Sequence, residues 1–176
     1  MRSTLLSNRC GARSLPRLLT WVLLLAAASA SRLTAQQAVF VVRHAEKADQ
    51  STDPDLSPAG RARAERLAAL LADAGVSAVF ATEFRRTQQT VAPLAARLGR
   101  ASQIVKADDV AGLVARLRAA RATDIVVIAG HSNTVPRILT EFGAAPPVLI
   151  ADDEFDNLFV VVPRGPGPPV LLRLRY

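Results

Sequence analysis

The stretch that decides the fold reads Ala38-Val39-Phe40-Val41-Val42-Arg43-His44-Ala45-Glu46-Lys47. Five apolar residues in succession suit a parallel strand buried on both faces, and the run ends in an arginine, a histidine and, two residues on, a glutamate. In open α/β sheets, ligands sit just beyond the carboxyl ends of the strands, so Arg43, His44 and Glu46 fall where a ligand is expected. The chain holds only one other histidine. His131 follows the apolar run Ile125 to Ala129 through a single glycine, so the two imidazoles share one kind of placement.

Outward from this stretch, composition sets the limits. At 176 residues and 50% hydrophobic content, the chain suits one domain with an ample core. The formal charge of +7 is unevenly spread. Residues 1–35 carry five arginines and no acid, which leaves 17 basic against 15 acidic residues beyond Ala35. That near balance argues against nucleic acid as a partner. The first 35 residues have the parts of a secretory signal: a basic start, an apolar stretch from Leu18 to Ala28, and small residues suited to cleavage after Ala30 or Ala35. The apolar stretch is short of the roughly 20 residues that span a bilayer, so no stable membrane insertion is expected once the leader is removed. The expectation is an exported protein, periplasmic or secreted, with one domain over residues 36–176. Cys10, the only cysteine, lies in the leader, so the remainder has neither a disulfide nor a thiol nucleophile.

After the first strand, Ala48 to Leu56 reads as a polar loop. Ser57 followed by Pro58 is an N-cap with proline at the first helical position, and Ala64, Leu67, Ala68 and Leu71 recur at helical spacing before Gly75. Val76 to Ala81 is a second strand. The helix after it has Val91, Leu94, Ala95 and Leu98 on its apolar face and Gly99 at its end. Arg85 and Arg86 stand in its first turn, where the helix dipole disfavours positive charge. An anion held between the free N–H groups and an arginine would resolve the conflict; Arg85 is expected instead to face solvent or pair with Glu83. Gln103 to Val105 reads as a short edge strand. Asp108 or Asp109 caps a helix carrying Val110, Leu113, Val114 and Leu117. Asp124 to Ala129 is a buried strand, and Ser132 or Asn133 caps a helix running to about Phe142. Asp152, Asp153 and Glu154 read as a solvated loop that could line a pocket mouth. Leu158 to Val162 and Val170 to Arg175 are two strands joined by a Pro163 to Pro169 turn.

Strands alternating with helices imply an α/β fold, a three-layer α/β/α sandwich with a mostly parallel central sheet, whose right-handed crossovers bring several strand ends to one rim. Arg43, His44, Arg86 and His131 can then converge. Two histidines and two arginines without a thiol suit an oxyanion: guanidiniums fork onto phosphoryl oxygens, and a neutral imidazole nitrogen attacks phosphorus. Transfer to water in two steps also needs an acid for the leaving oxygen and a base for the water.

These residues resemble a known family. Arg43-His44-Ala45-Glu46 is similar to the R-H-G signature of the histidine phosphatase superfamily, whose members include phosphoglycerate mutases and small bacterial phosphohistidine phosphatases. Leu56-Ser57-Pro58-Ala59-Gly60 resembles its L-T-x-x-G segment. Thr82 to Thr90, reading T-E-F-R-R-T-Q-Q-T, resembles S-x-x-x-R-A-x-Q-T, a register that selects Arg86 over Arg85. Gly130-His131-Ser132-Asn133 resembles the G-H-S segment with the second pocket histidine. The likeness runs from Val39 to about Val162. It implies that His44 is the nucleophile, that Arg43, Arg86 and His131 bind the phosphoryl group, and that no metal or other cofactor is used. Ala45 stands where the family has glycine and Thr82 where it has serine. The segment from Thr90 to Gly130 lacks a match to the mutases' proton donor.

The sequence therefore predicts an exported phosphatase acting on a phosphorylated small molecule or a phosphoprotein through a phosphohistidine on His44. Glu46 is the expected acid, with a surface pairing to Lys47 or an arginine as its other reading, and Asn133 is both a cap and a further substrate ligand. Two rivals remain: a catalytically weak phosphate-binding module of the same fold, and a metal site built from His44, His131 and Glu46.

Overall fold

The computed structural model describes residues 38–119, 124–164 and 167–176. All belong to one of two units into which the chain divides, Thr34–Tyr176. The expected leader and its cleavage positions lie outside the described residues.

The opening stretch forms β1 (Ala38–Arg43), as its apolar run predicts. It is followed by α1 (Pro58–Leu71), β2 (Ala78–Thr82), α2 (Arg85–Arg97), β3 (Gln103–Val105), α3 (Val110–Ala119), β4 (Ile125–Gly130), α4 (Thr134–Glu141), β5 (Asn157–Arg164) and β6 (Gly167–Arg175). One six-stranded sheet has the order β3-β2-β4-β1-β5-β6. The first four are parallel, and β5 and β6 are antiparallel additions.

Alternation along the strands builds the layers. Val39, Val41, Val126 and Ile128 face α3 and α4, where Leu113, Leu117, Ile138 and Leu139 are buried against them. Val42, Val127 and Ala129 face α1 and α2, meeting Leu67, Leu71, Val91 and Leu94. Period two in the strands and period 3.6 in the helices thus give the expected α/β/α sandwich. Each fully buried Val, Leu or Phe contributes roughly 1.5–3 kcal/mol.

The local signals hold in part. Ser57 Oγ caps α1 by accepting from Gly60 N at 3.0 Å, with proline at the start of the helix. Of the two candidate caps for α3 it is Asp109 that serves, accepting from Gly112 N at 3.0 Å. The expected side-chain cap of α4 does not form: Asn133 is already helical and makes no cap bond. The hydroxyl of Thr134 instead accepts from His131 N at 2.8 Å. The expected Pro163 to Pro169 turn is also corrected, because both strands run through those prolines and leave only residues 165–166 between them. β6 lies at the sheet edge, where proline costs no ladder bond.

What the fold positions is a rim. Arg43 of β1 is in register with Gly130 of β4, His44 N donates to Gly130 O at 2.8 Å, and Ala81 of β2 is in register with Ala129. The carboxyl ends of β1, β2 and β4 therefore lie side by side. The antiparallel β5 begins at the same end, since Leu158 pairs with Val42, and this brings the loop before it to the rim.

Candidate active site

At this rim a cleft of about 600 Å³ is lined by Arg43, His44, Arg86, His131 and Asn133 among others. Four of the five residues expected to be catalytic are brought together with the expected ligand Asn133. The ring centroids of His44 and His131 are 5.4 Å apart, with planes at 61°.

His44 and Arg43 are 5% and 6% exposed, so their orientations are set by the protein. The Nδ1 of His44 is 2.8 Å from Ala45 O. A carbonyl only accepts, so the proton sits on Nδ1, and Nε2 carries the lone pair. Burial is the largest influence on this ring and pulls its pKa down to about 3. The hydrogen bond to Ala45 opposes that shift, while His131, Arg43 and Arg86 add to it. At neutral pH the His44 ring is uncharged.

Its loop is held from α2. Thr90 Oγ1 accepts from Ala45 N at 2.9 Å and donates to Arg86 O at 2.7 Å. Gln89 accepts from Leu56 N at 2.8 Å and donates to Asp55 Oδ1 at 2.6 Å. Gly60 lets α1 approach this loop, because a Cβ there would stand 2.3 Å from Glu46 O. Ala45, in place of the family's glycine, is accommodated: it is fully buried in a small cluster with Leu56 and Ala64.

Both arginines are anchored by one nitrogen. Arg43 Nη1 donates to the carbonyls of Ala151, Asp152 and Glu154 at 2.8, 3.0 and 3.2 Å. Its guanidinium carbon lies 4.2 Å from the centroid of the Phe155 ring. Arg86 Nη1 donates to Thr52 O at 3.3 Å and lies 3.7 Å from Asp53 Oδ1, while its guanidinium stacks 4.4 Å from the Phe84 centroid. These bonds leave the Nε–Nη2 edge of each guanidinium, the edge that grips two oxygens at once. The Nε of each arginine is buried and has no acceptor. A buried N–H without a partner costs about 1–3 kcal/mol, which an anion along that edge would recover.

His131 is set from the other side. Its Nε2 is 2.9 Å from Thr82 Oγ1, which is 2.8 Å from Thr87 Oγ1. Thr87 in turn donates to Phe84 O at 2.7 Å. Burial, followed by the charges of Arg86 and Arg43, draws the pKa of His131 down to about 4. The Phe84 ring stands at 89° to the imidazole, with centroids 5.1 Å apart.

Two expectations are corrected by geometry. Glu46 is not among the residues lining the cleft. Both its carboxylate oxygens accept from Arg63, at distances from 2.6 to 3.0 Å, and Arg63 also donates to Tyr176 O. The Arg63 hydrogen bonds and charge outweigh partial burial and lower the Glu46 pKa, which is opposite to what a proton donor at neutral pH needs. Its pairing with an arginine, the other reading of this residue, is what the structure shows, and the donor set imagined for a metal does not assemble. Arg85 leaves the site as expected, but it pairs with Asp55 at 2.6 Å rather than with Glu83. The anion at the start of α2 is the carboxylate of Asp53, which accepts from Arg85 N at 2.8 Å. Glu83 instead accepts from Ala107 N at 2.8 Å, holding the β3–α3 connection.

That connection carries Asp108, the other candidate cap of α3. Asp108 lines the cleft, together with Asp152. Asp152 is the acidic side chain acting most strongly on Arg43. Glu154, which read as solvated loop, is a tie: it accepts from Ala151 N at 3.0 Å, from Arg173 at 3.1 Å and from Arg175 at 2.7 Å. Among the described residues, no three His, Cys, Asp or Glu side chains are grouped to hold a metal ion, and no helix is long and apolar enough to cross a membrane.

Residues 39–110 match the family model of the histidine phosphatase superfamily (branch 1). No curated protein matches the chain. A mycobacterial glucosyl-3-phosphoglycerate phosphatase shares the fold at a TM-score of 0.64 and 15% identity, over 80% of this chain and 98% of that one. The protein histidine phosphatase SixA complexed with tungstate superposes at 0.61 and 21% identity, over 79% and 97%. A putative phosphohistidine phosphatase SixA from Nakamurella multipartitia gives 0.52 and 23%, over 72% and 84%. At these identities the structures establish the fold, which is that of the histidine phosphatases.

Proposed function

On a histidine phosphatase fold, we propose that this protein hydrolyses phosphate monoesters, borne on a small molecule or on a protein, through a phosphohistidine on His44. The observation that carries the reading is that two arginines whose buried Nε–H groups lack an acceptor line the same cleft as a neutral His44. Two guanidinium edges beside an imidazole lone pair fit a tetrahedral dianion under attack.

In the first step His44 Nε2 forms a bond to phosphorus as the phosphorus–oxygen ester bond breaks, while Ala45 O steadies the charge growing on the ring. Asp108 gives the departing oxygen its proton. In the second step the Asp108 carboxylate takes a proton from water, the water oxygen bonds to phosphorus, and the N–P bond breaks to release inorganic phosphate. Arg43, Arg86 and His131 hold the phosphoryl oxygens throughout, and Asn133 contributes a further polar group at the cleft wall. The chain reaches the periplasm or the medium after its leader is removed behind Ala30 or Ala35.

The test is single-turnover reaction with a radiolabelled aryl phosphate, stopped in denaturing alkali, where a phosphohistidine survives. Label on the wild-type chain and none on His44→Ala, together with lost turnover, is the expected result. Full activity in His44→Ala overturns the reading. Phosphate binding without turnover of either aryl or alkyl esters would favour a binding module.

A further inference from the structure

Arg43 is held by a turn that no helix or strand contains. Its Nη1 donates to the carbonyls of Ala151, Asp152 and Glu154, and its guanidinium lies against the Phe155 ring, whose centroid is also 6.1 Å from that of His44. A guanidinium tied by one nitrogen pivots about it, so the direction of its Nε–Nη2 edge follows the position of the 151–154 turn. Yet α4 ends at Glu141 and β5 begins only at Asn157, so neither element fixes that turn. Glu154 does. Its N–H donates to Ala151 O at 3.1 Å while its carboxylate accepts from Ala151 N at 3.0 Å, which closes the turn from both backbone and side chain. The same carboxylate accepts from Arg173 at 3.1 Å and from Arg175 at 2.7 Å, both on β6.

An exposed ion pair by itself contributes little, but several charges in one fixed network contribute more. Arg173 is also tied to Asn157 Oδ1 at 2.7 Å and Arg175 to Asp156 Oδ1, so both arginines are held on either side of Glu154. They stand two residues apart on a strand and therefore share a face, and β6 is registered on β5 with Arg175 opposite Asn157 and Arg173 opposite Phe159. The edge of the sheet thus serves as the frame against which the turn is placed. Glu154 is not among the residues lining the cleft, so whatever it does there passes through Arg43. We propose that Glu154 is a positioning residue: by clasping the 151–154 turn to β6 it sets the direction of the Arg43 guanidinium edge, and with it the affinity of the cleft for a phosphoryl group. This rests on the phosphoryl-binding reading of Arg43 and needs no turnover.

Magnetic resonance of the arginine side chains and calorimetry with inorganic phosphate, both on the full chain, test this. In Glu154→Ala, solvent exchange of the Arg43 Nε–H is expected to quicken about tenfold while that of Arg86 is unchanged. Phosphate should bind about tenfold more weakly, because a displaced guanidinium no longer meets two oxygens at once. Charge alone predicts the opposite sign, since Glu154 is one of the acids acting on Arg43 and removing a carboxylate favours an anion. Glu154→Gln, which keeps an acceptor for Ala151 N, should fall between. Glu65→Ala, which breaks the exposed pair with Arg97 at 2.8 Å between α1 and α2, should move neither reading. Should Glu154→Ala fold poorly, Arg173→Gln combined with Arg175→Gln cuts the same clasp from β6 and is expected to free Arg43 alike. Unchanged Arg43 exchange, equal quickening of both arginines, phosphate bound as tightly as by the wild type or more so, or the same changes in Glu65→Ala overturns the positioning role. No phosphate bound even by the wild type, with Arg43 alone loosened in Glu154→Ala, overturns the phosphoryl reading of the cleft and leaves the clasp standing.

Discussion

The Nε2 of His131 lies 2.9 Å from Thr82 Oγ1, and the direction of the proton between them is fixed from the far end of a chain of hydroxyls. Thr87 spends its single proton on backbone carbonyls, Phe84 O at 2.7 Å and Thr82 O at 3.1 Å. It can therefore only accept from Thr82, which can then only accept from His131 Nε2. Neutral His131 carries its proton on Nε2 and leaves a bare lone pair on Nδ1, which would donate to a phosphoryl oxygen only once the ring gains a second proton. Thr82→Val breaks the chain and is expected to lower kcat about tenfold, through one misplaced hydrogen bond. Thr82→Ser keeps the hydroxyl and should restore the rate. Equal loss in both variants would show that the side chain acts by packing alone.

Asp108 offers a sharper division. If it protonates the leaving oxygen, Asp108→Asn slows an alkyl phosphate by about a hundredfold while an aryl phosphate with an acidic leaving group is nearly spared. A steeper dependence of rate on leaving-group pKa is the signature to measure. The same slope in Asp108→Asn and wild type would remove Asp108 from the mechanism.

Glu46→Gln tests the opposite assignment. The carboxylate is bound to Arg63 on a partly buried face of α1, so its neutralisation is expected to cost about 1 kcal/mol of stability, read from the denaturation midpoint. Turnover with an alkyl phosphate should be retained below the melting transition. A selective loss on alkyl substrates would return Glu46 to the role of acid.

The histidines also set a pH window. Their folded values, about 3 for His44 and about 4 for His131, lie below the ordinary 6.5, so between these limits the unfolded chain binds more protons than the folded one. Their contribution to stability is complete above pH 6.5 and is lost as pH falls, through about 4 for His131 and about 3 for His44. Denaturation midpoints across this range should drop more steeply for the wild type than for a His44→Asn, His131→Asn variant. Nitrogen chemical shifts should report both rings neutral at pH 5; a ring titrating near 6.5 would contradict the burial described.

Much of this site was legible because its members end strands. Arg43, His44 and His131 each close an apolar run, and parallel strands bring such ends to one rim whatever the intervening helices do. Arg86 needed the register of a longer motif, since its neighbour Arg85 has the same chemistry and points elsewhere. Glu46 was misread for a specific reason. Placing it two residues beyond His44 on the same rim assumes the alternation of an extended strand, but β1 ends at Arg43 and the chain turns toward α1. Asp108 was hidden by Asp109, because two adjacent aspartates before a helix look alike until one of them caps it. The stacking of Arg43 on Phe155 and Arg86 on Phe84 joins residues with no common local pattern, so only the fold could show it.

The helix α2 carries Arg86 to the wall of the cleft and, one turn further, brings Gln89 and Thr90 against the loop that follows His44. Arg86 and the loop after His44 are therefore mounted on a single lever. A small roll of that helix about its axis would carry both along together, so their alignment survives breathing of the outer layers, while a substitution that uncouples the lever from the loop after β1 would displace both in one stroke.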